Sequence, residues 1–484
     1  MSRPSLGQAA AWRPDALRRL ADSWEETARV IHDGAAVASR TSPPWSGASG
    51  DAARRNADAI TVQGDAVARA LVLAAVAARD GADQMAQAQA DVSARVEAAH
   101  ATGFVVGDDG SVVADGPSPL LIMLSGNDAG VAAAMLAARS AELSRQITDA
   151  LDRLGAADDD AARDIREALE SVTRSPDITL GNTNGASWEV RIAANRTNIA
   201  QAIVERLGDR EASDRATFYR GLLGEIDDPA GGGHRIDRKI LAFDPSLDSL
   251  VELNGDLAVA TGVAVLIPGM STTIEGSAGN TGSARQFVSA TRGQVAAITY
   301  LGGPFPADRT VVGALAEAAS PRFAMDMAPR LAAFSRDVDA KVDATGRQIA
   351  VTYVGHSYGG SILGTAEALG LTADRTLYAA AAGAGFGVDG PDDWHNRNPD
   401  VLRFSMTAPA DPIQLVQGIP GGPHGADPDE MPGVIHLATG RYDDGRLMAG
   451  PAAHTDVLSV TGSDAWRNVL AVITGDREHI VLAG

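Results

Sequence analysis

Between Ile349 and Leu369 the sequence IAVTYVGHSYGGSILGTAEAL runs apolar, breaks at Gly355-His356-Ser357-Tyr358-Gly359, and turns apolar again with a different period. Ile349, Val351, Tyr353 and Val354 are β-branched or aromatic and predict a buried strand, whereas Ile362, Leu363, Ala366 and Leu369 recur at helical spacing. A strand that turns sharply into a helix through Gly-x-Ser-x-Gly is a nucleophile elbow, in which the serine sits on a strained turn with its Oγ exposed. Ser357 is therefore the first candidate for a nucleophile. Side chains at Gly355 and Gly359 would crowd such a turn, and the start of the following helix brings amide donors and positive potential to the place where negative charge would develop.

From Ile240 onward strand-like and helix-like stretches alternate, the signature of a mostly parallel sheet with helices on both faces. The chain has 484 residues, 45 % of them apolar, enough for two or three soluble, globular domains. Acidic residues outnumber basic ones by 62 to 41, for a net charge of −21, and Lys239 and Lys341 are the only lysines. Such a surface repels phosphate backbones, so nucleic acid is not an expected partner. The absence of cysteine removes disulfides and thiol nucleophiles alike. The N-terminal MSRPSLGQAAAWRPDAL lacks the apolar core of a Sec signal peptide, and no run of about 18 apolar residues is expected to span a membrane.

Residues 1–180 read as a helical domain and 181–484 as the α/β domain with a helical lead-in, Thr197 to Ile226. In the first, Leu17, Leu20, Ala21, Trp24, Ala28 and Ile31 form one stripe and Ile60, Val67, Leu71 and Ala74 another, predicting two antiparallel helices. The turn between them, Thr41-Ser-Pro-Pro-Trp-Ser-Gly47, resembles the Trp-x-Gly turn of the small helical-hairpin proteins of type VII secretion through Trp45-Ser46-Gly47. That resemblance implies a small helical Trp-x-Gly partner protein. The family's export tag, Tyr-x-x-x-Asp/Glu, is absent from all six tyrosines. The expected location is thus cytoplasmic, or outside by a type VII-like route on a tagged partner. Phe104 to Val113 predicts a β-hairpin about Asp109-Gly110. A third helix carries Leu136, Leu143, Ile147, Leu151 and Leu154, and a fourth starts near Asp160. Asp158-Asp159-Asp160 lacks the alternation of a calcium loop and reads as the charged first turn of that helix.

Serine hydrolysis needs a base, an acid that orients it and donors for an oxyanion. In the α/β-hydrolases, which the elbow resembles, the chain order is Ser, Asp or Glu, then His. Asp411 follows the strand-like Val401 to Thr407 and is the leading acid, with Asp389, Asp392 and Asp393 as competitors. Of the later histidines, His436 lies in a strand-like run and His479 near the C-terminus. His454, read as a loop residue ahead of a helix capped by Thr455 or Asp456, is the leading base, with His424 as runner-up. The oxyanion donors would be the amides of Tyr358 and of Met270, the latter after the strand Val263 to Ile267, with Gly269 letting the backbone approach. His356, His424 and Gly269 are candidate supporting residues. The Gly-rich stretches Ser271 to Ser283 and Gly418 to Pro423 are expected to form a rim over the serine.

The ordered series Ile240 to Asp244, Gly255-Asp256-Leu257, Val265 to Gly269, Gly355 to Gly359, His424 to Pro428 and His454-Thr455-Asp456 resembles an actinobacterial α/β-hydrolase family long known only as a domain of unknown function. The resemblance implies an α/β-hydrolase fold and a triad of Ser357, Asp411 and His454. One departure stands at Tyr300-Leu-Gly-Gly-Pro-Phe305, where that family suggests an aromatic and acidic strand end. The activity expected is esterase-like or lipase-like cleavage of small-molecule or lipid esters, or of thioesters, with peptidase action a weaker option and no metal or organic cofactor. The alternative is a type VII secretion-associated interaction protein whose hydrolase fold is catalytically silent.

Overall fold

The computed structural model describes residues 3–40, 46–173, 176–209, 213–307, 317–419 and 421–484. Thr41 to Trp45 of the expected Trp-x-Gly turn lie outside these. The chain forms two compact units, Met1–Ser175 with Ile199–Gly224, and Pro176–Asn198 with Glu225–Gly484.

In the helical unit Pro14–Arg40 and Ala48–Ala101 are the two long helices. Their cross-pairs, Arg18 with Asp83, Arg79 with Asp22 and His32 with Asp65, run in opposite chain directions, so the helices are antiparallel. Small residues set how close they come: Ala21, Ala28, Ala68, Ala75 and Ala78 are fully buried, and a Cβ on Gly64 would stand 2.9 Å from that of Ala35. An 18-residue window of Ala48–Ala101 has mean hydropathy 1.5, apolar enough to cross a membrane by composition. Part of that helix is buried, Ala70, Val72, Ala74 and Ala75 among the residues concerned.

The expected hairpin is present as β1 (Phe104–Val106) and β2 (Val112–Ala114), paired antiparallel. The third and fourth expected helices are one helix, Ala129–Glu170. Leu143, Ile147, Leu151, Leu154, Ala157 and Ala161 make one buried stripe through the supposed break, and burial of that stripe outweighs the roughly 1 kcal/mol cost of Gly155. Asp158-Asp159-Asp160 therefore lies within a helix and not at its first turn.

In the α/β unit the 3-10 turn Ile178–Asn182 and the start of the helix Trp188–Val204 come first, followed by the small antiparallel pair β3 (Glu225–Asp227) and β4 (Arg235–Asp237). Its sheet contains β5 (Lys239–Asp244), β6 (Ser249–Asn254), β7 (Gly262–Ile267), β8 (Val295–Gly302), β9 (Ala350–His356), β10 (Arg375–Ala379), β11 (Leu402–Met406) and β12 (Val434–His436). The order is β12-β11-β10-β9-β7-β8-β6-β5, with β6 antiparallel to both β5 and β8 and every other pair parallel. All residues of β7 and β8 are buried, as strands covered on both faces require.

Side-chain alternation divides those faces. Val295 and Ala297 join a core that includes Phe287 of the helix Ala278–Ala290 and Trp466 of Asp464–Thr474, whose rings stack at 5.2 Å. Tyr300, offset by an odd number of residues from both, meets Phe334 of the helix Arg322–Asp343 at 5.1 Å. The parallel strands β7, β9, β10 and β11 thus deliver their C-terminal ends to one edge, held rigidly from both sides.

In the helical unit Glu25 is only 8 % exposed and meets Arg79 at 2.6 Å and Arg220 at 2.8 Å. Burial raises its carboxyl, but the hydrogen bonds and charges of the two arginines more than reverse this, so it ionises below the ordinary 4.5. A depressed carboxylate adds stability that is complete above its unfolded value and is lost as pH falls through the folded one. Glu25→Gln is expected to cost about 3 kcal/mol at pH 7 and progressively less as the solution is acidified below pH 4.5. Unfolding followed by circular dichroism at pH 7 and pH 3 measures both.

Candidate active site

Ser357 joins β9 to the helix Tyr358–Ala368 with φ 56° and ψ −123°, a left-handed conformation that is unfavourable for a residue with a Cβ. Neighbouring backbone holds it there. The Ser357 N–H donates to the Ala379 carbonyl at 3.1 Å, and its own carbonyl accepts from Ala382 at 2.9 Å and Gly360 at 3.0 Å. Three glycines make the turn sterically possible. A Cβ on Gly355 would lie 2.7 Å from the Gly359 carbonyl oxygen, one on Gly359 would lie 2.3 Å from that of Ile267, and one on Gly269 would lie 2.7 Å from the Ser357 Cβ.

His454 Nε2 is 3.0 Å from Ser357 Oγ, and its Nδ1 is 3.1 and 3.0 Å from Asp411 Oδ1 and Oδ2. Asp411 follows β11, is 2 % exposed, and caps the 3-10 turn Pro412–Leu415 by accepting from the Ile413 N–H at 2.9 Å. The competing acids are used elsewhere: Asp393 accepts from the N–H groups of Asp389 and Gly390 in its own loop, and Asp389 and Asp392 are exposed. His454 sits in the first turn of the helix Ala453–Ser459, not in a loop ahead of it. Neither Thr455 nor Asp456 caps that helix; Asp456 accepts instead from the Tyr442 hydroxyl at 2.6 Å.

His356, inside the elbow motif, reaches the base from behind. Its Nε2 donates to the His454 carbonyl at 2.7 Å, with the rings 5.1 Å apart. Burial, reinforced by His454, lowers its pKa to about 4, so the bond is made by a neutral ring. His424 lines the same cavity as Ser357 without bonding to it. Its Nδ1 is 3.1 Å from Ser361 Oγ and its ring stands edge-on to Tyr358 at 5.4 Å. Burial lowers its pKa as well, against a bond to the Ala318 backbone. His436 pairs with Asp429, and the exposed His479 with Asp476.

The Tyr358 N–H occupies the first position of its helix, where no intrahelical acceptor exists. The Met270 N–H donates to nothing among the described residues. Ser271, at φ 62°, is turned so that its own N–H donates to Pro306 at 2.7 Å, and Thr272 Oγ1 donates to the Gly269 carbonyl at 2.9 Å. The elbow is thereby flanked by two amides without partners among the described residues.

A cavity of about 420 Å³ opens over Ser357 and His454, walled by Met270, Ala318, Ala319, Ala382, Ile413, Val416, Ile419 and Pro451 among others. Of the two expected rims, Gly418 to Pro423 contributes Ile419 and Pro423, with Pro420 outside the described residues. Ser271 to Ser283 is not part of the wall, and from Ala278 it is helix. Tyr300 lines a separate cleft of about 230 Å³ with Arg191 and Arg330. Ile413 and Val416 escaped the sequence reading, although apolar residues clustered just after Asp411 were a visible signal. Among the described residues no group of three or more His, Cys, Asp or Glu side chains is placed to hold a metal ion.

Residues 244–419 match a family model described as Alpha/beta hydrolase, a stretch that includes Met270, Ser357, Tyr358 and Asp411 and ends before His424 and His454. No curated protein matches the chain. Among solved structures it is similar to the crystal structure of TT1662 from Thermus thermophilus, with 12 % identity and a TM-score of 0.24, over 42 % of this chain and 89 % of that one. Sheet order, elbow and family segment together make the second unit an α/β-hydrolase fold.

Because the Gly359 Cα packs on the carbonyls of Ile267 and Pro268, Gly359→Ala must push the elbow off the end of β7. It is expected to cost about 3 kcal/mol or more. Denaturant unfolding of the variant beside the wild type measures this.

Proposed function

We propose that the protein is a serine hydrolase acting on carboxylic esters or thioesters through an acyl-enzyme on Ser357. The observation that carries this reading is the single line of hydrogen-bond distances from Asp411 through His454 to an elbow serine that stands beside two unpaired amides.

In this reading His454 Nε2 takes the Ser357 proton as Oγ attacks the carbonyl carbon, and the carbonyl π electrons move onto oxygen. The N–H groups of Tyr358 and Met270 receive that oxyanion, each donor being worth roughly a factor of 100 to 1,000 in turnover. Asp411 accepts from Nδ1–H, keeps the imidazole in the tautomer whose Nε2 is a base, and stabilises the imidazolium. Collapse of the intermediate breaks the bond to the alcohol or thiol, which leaves with the proton from His454. Water, deprotonated by His454, then attacks the acyl-Ser357 carbon through a second oxyanion, and the acid departs as Ser357 recovers its proton.

His356 supports the base through its backbone. A neutral ring donating to the His454 carbonyl adds no positive charge beside an imidazole that must itself become cationic.

A fluorophosphonate probe is expected to label the wild type, and Ser357→Ala and His454→Ala are expected to abolish labelling while leaving the circular dichroism spectrum unchanged. Asp411→Asn should retain the fold and lose roughly 10⁴-fold in kcat. Absence of labelling in a folded wild-type sample contradicts the proposal.

A further inference from the structure

The cavity over Ser357 is apolar in an unusual sense: its few polar side chains are already committed. Apart from Ser357, His454 and Asp411, only Tyr358 and His424 among the described lining residues carry polar side chains. The Tyr358 hydroxyl donates to the Ser320 carbonyl at 2.6 Å and accepts from the Ala324 N–H at 3.3 Å. His424 places its Nδ1 3.1 Å from Ser361 Oγ. Asp411, 2 % exposed, is taken up by His454 and the Ile413 N–H. No lysine or arginine is among the described residues of the wall.

Along the described residues of the wall a bound chain thus meets mostly methyl, methylene and ring surface, with few hydrogen-bond partners away from the reacting carbonyl. A hydroxyl, amine or carboxylate on the chain would be desolvated without compensation. The mouth continues the same chemistry outward. Val416 and Ile419 line the cavity and are 40 % and 47 % exposed, and the adjacent Leu415 is 82 % exposed. These residues give an apolar chain a continuous path from solvent to the serine.

Resting on the serine-hydrolase reading above, we infer that the acyl group delivered to Ser357 is a hydrocarbon chain without polar substituents. At about 30 Å³ for each methylene-sized unit, the cavity of about 420 Å³ takes a chain of at most about fourteen carbons.

The test is hydrolysis of monomeric p-nitrophenyl esters from acetate to palmitate by the full chain, with Ser357→Ala as the blank. kcat/KM is expected to rise by up to about four-fold per added methylene, and to stop rising by about fourteen carbons. A decanoate with a mid-chain hydroxyl should fall about ten-fold or more below decanoate itself. Ile413→Trp and Val416→Trp, both at half-buried or exposed positions, should each lower the decanoate-to-acetate ratio about ten-fold. Ser357-dependent turnover that is flat with chain length, or that tolerates the hydroxyl, overturns the acyl-chain inference and leaves the ester-hydrolase reading standing. No Ser357-dependent turnover of any ester overturns both.

Discussion

Much of the α/β unit depends on one close approach, that of the Gly355-to-Gly359 turn to the carbonyl ends of β7. Gly359 lies so near the Ile267 and Pro268 oxygens that no side chain fits, and Gly269 in turn lies against Ser357. Two strand ends and a helix start therefore meet with only backbone between them. That contact holds Ser357 in its left-handed conformation and brings the Met270 amide alongside. It also leaves the Tyr358 amide at the head of its helix. The strain at Ser357 is carried by hydrogen bonds to the ends of β10 and the following loop, so a rigid sheet fixes the position of one oxygen atom.

Charge is distributed around that atom with restraint. Asp411 is the acidic group among the described residues of the cavity wall, and it is buried, bonded to His454 and to a backbone N–H. The second nearby histidine, His356, is kept neutral by burial. The remaining wall is apolar or internally satisfied, so the electrostatics of the site concentrate on the reacting carbonyl. In such a low-dielectric setting fixed donors act more strongly than they would in water.

How much of this the sequence disclosed varies with the range of the interaction. The elbow was legible because its cause is local: β-branched residues before it, helical spacing after it, and glycines where backbone must touch backbone. Asp411 was legible as a polar residue at a strand end. His454 was legible only as one of several late histidines, and its place in the helix Ala453–Ser459 was not, since Thr455 and Asp456 looked like caps. The continuous helix Ala129–Glu170 was misread as two because the acidic run suggested a new start, whereas the buried stripe that carries the helix past Gly155 depends on packing against distant residues. The bond from His356 to the His454 carbonyl joins segments far apart in the chain and has no local signature. The cavity wall likewise assembles from six loops or helix ends whose individual sequences are unremarkable.

The central claim is that Ser357 carries the acyl group between the two halves of the reaction. Rapid mixing of the wild-type protein with excess p-nitrophenyl ester, followed by acid quench and mass spectrometry of the digested chain, tests it most directly. The account predicts a burst of about one equivalent of p-nitrophenol together with an acyl adduct on the peptide bearing Ser357. Turnover with the adduct on another residue, or with the Ser357 peptide unmodified under conditions where deacylation limits the rate, would contradict it.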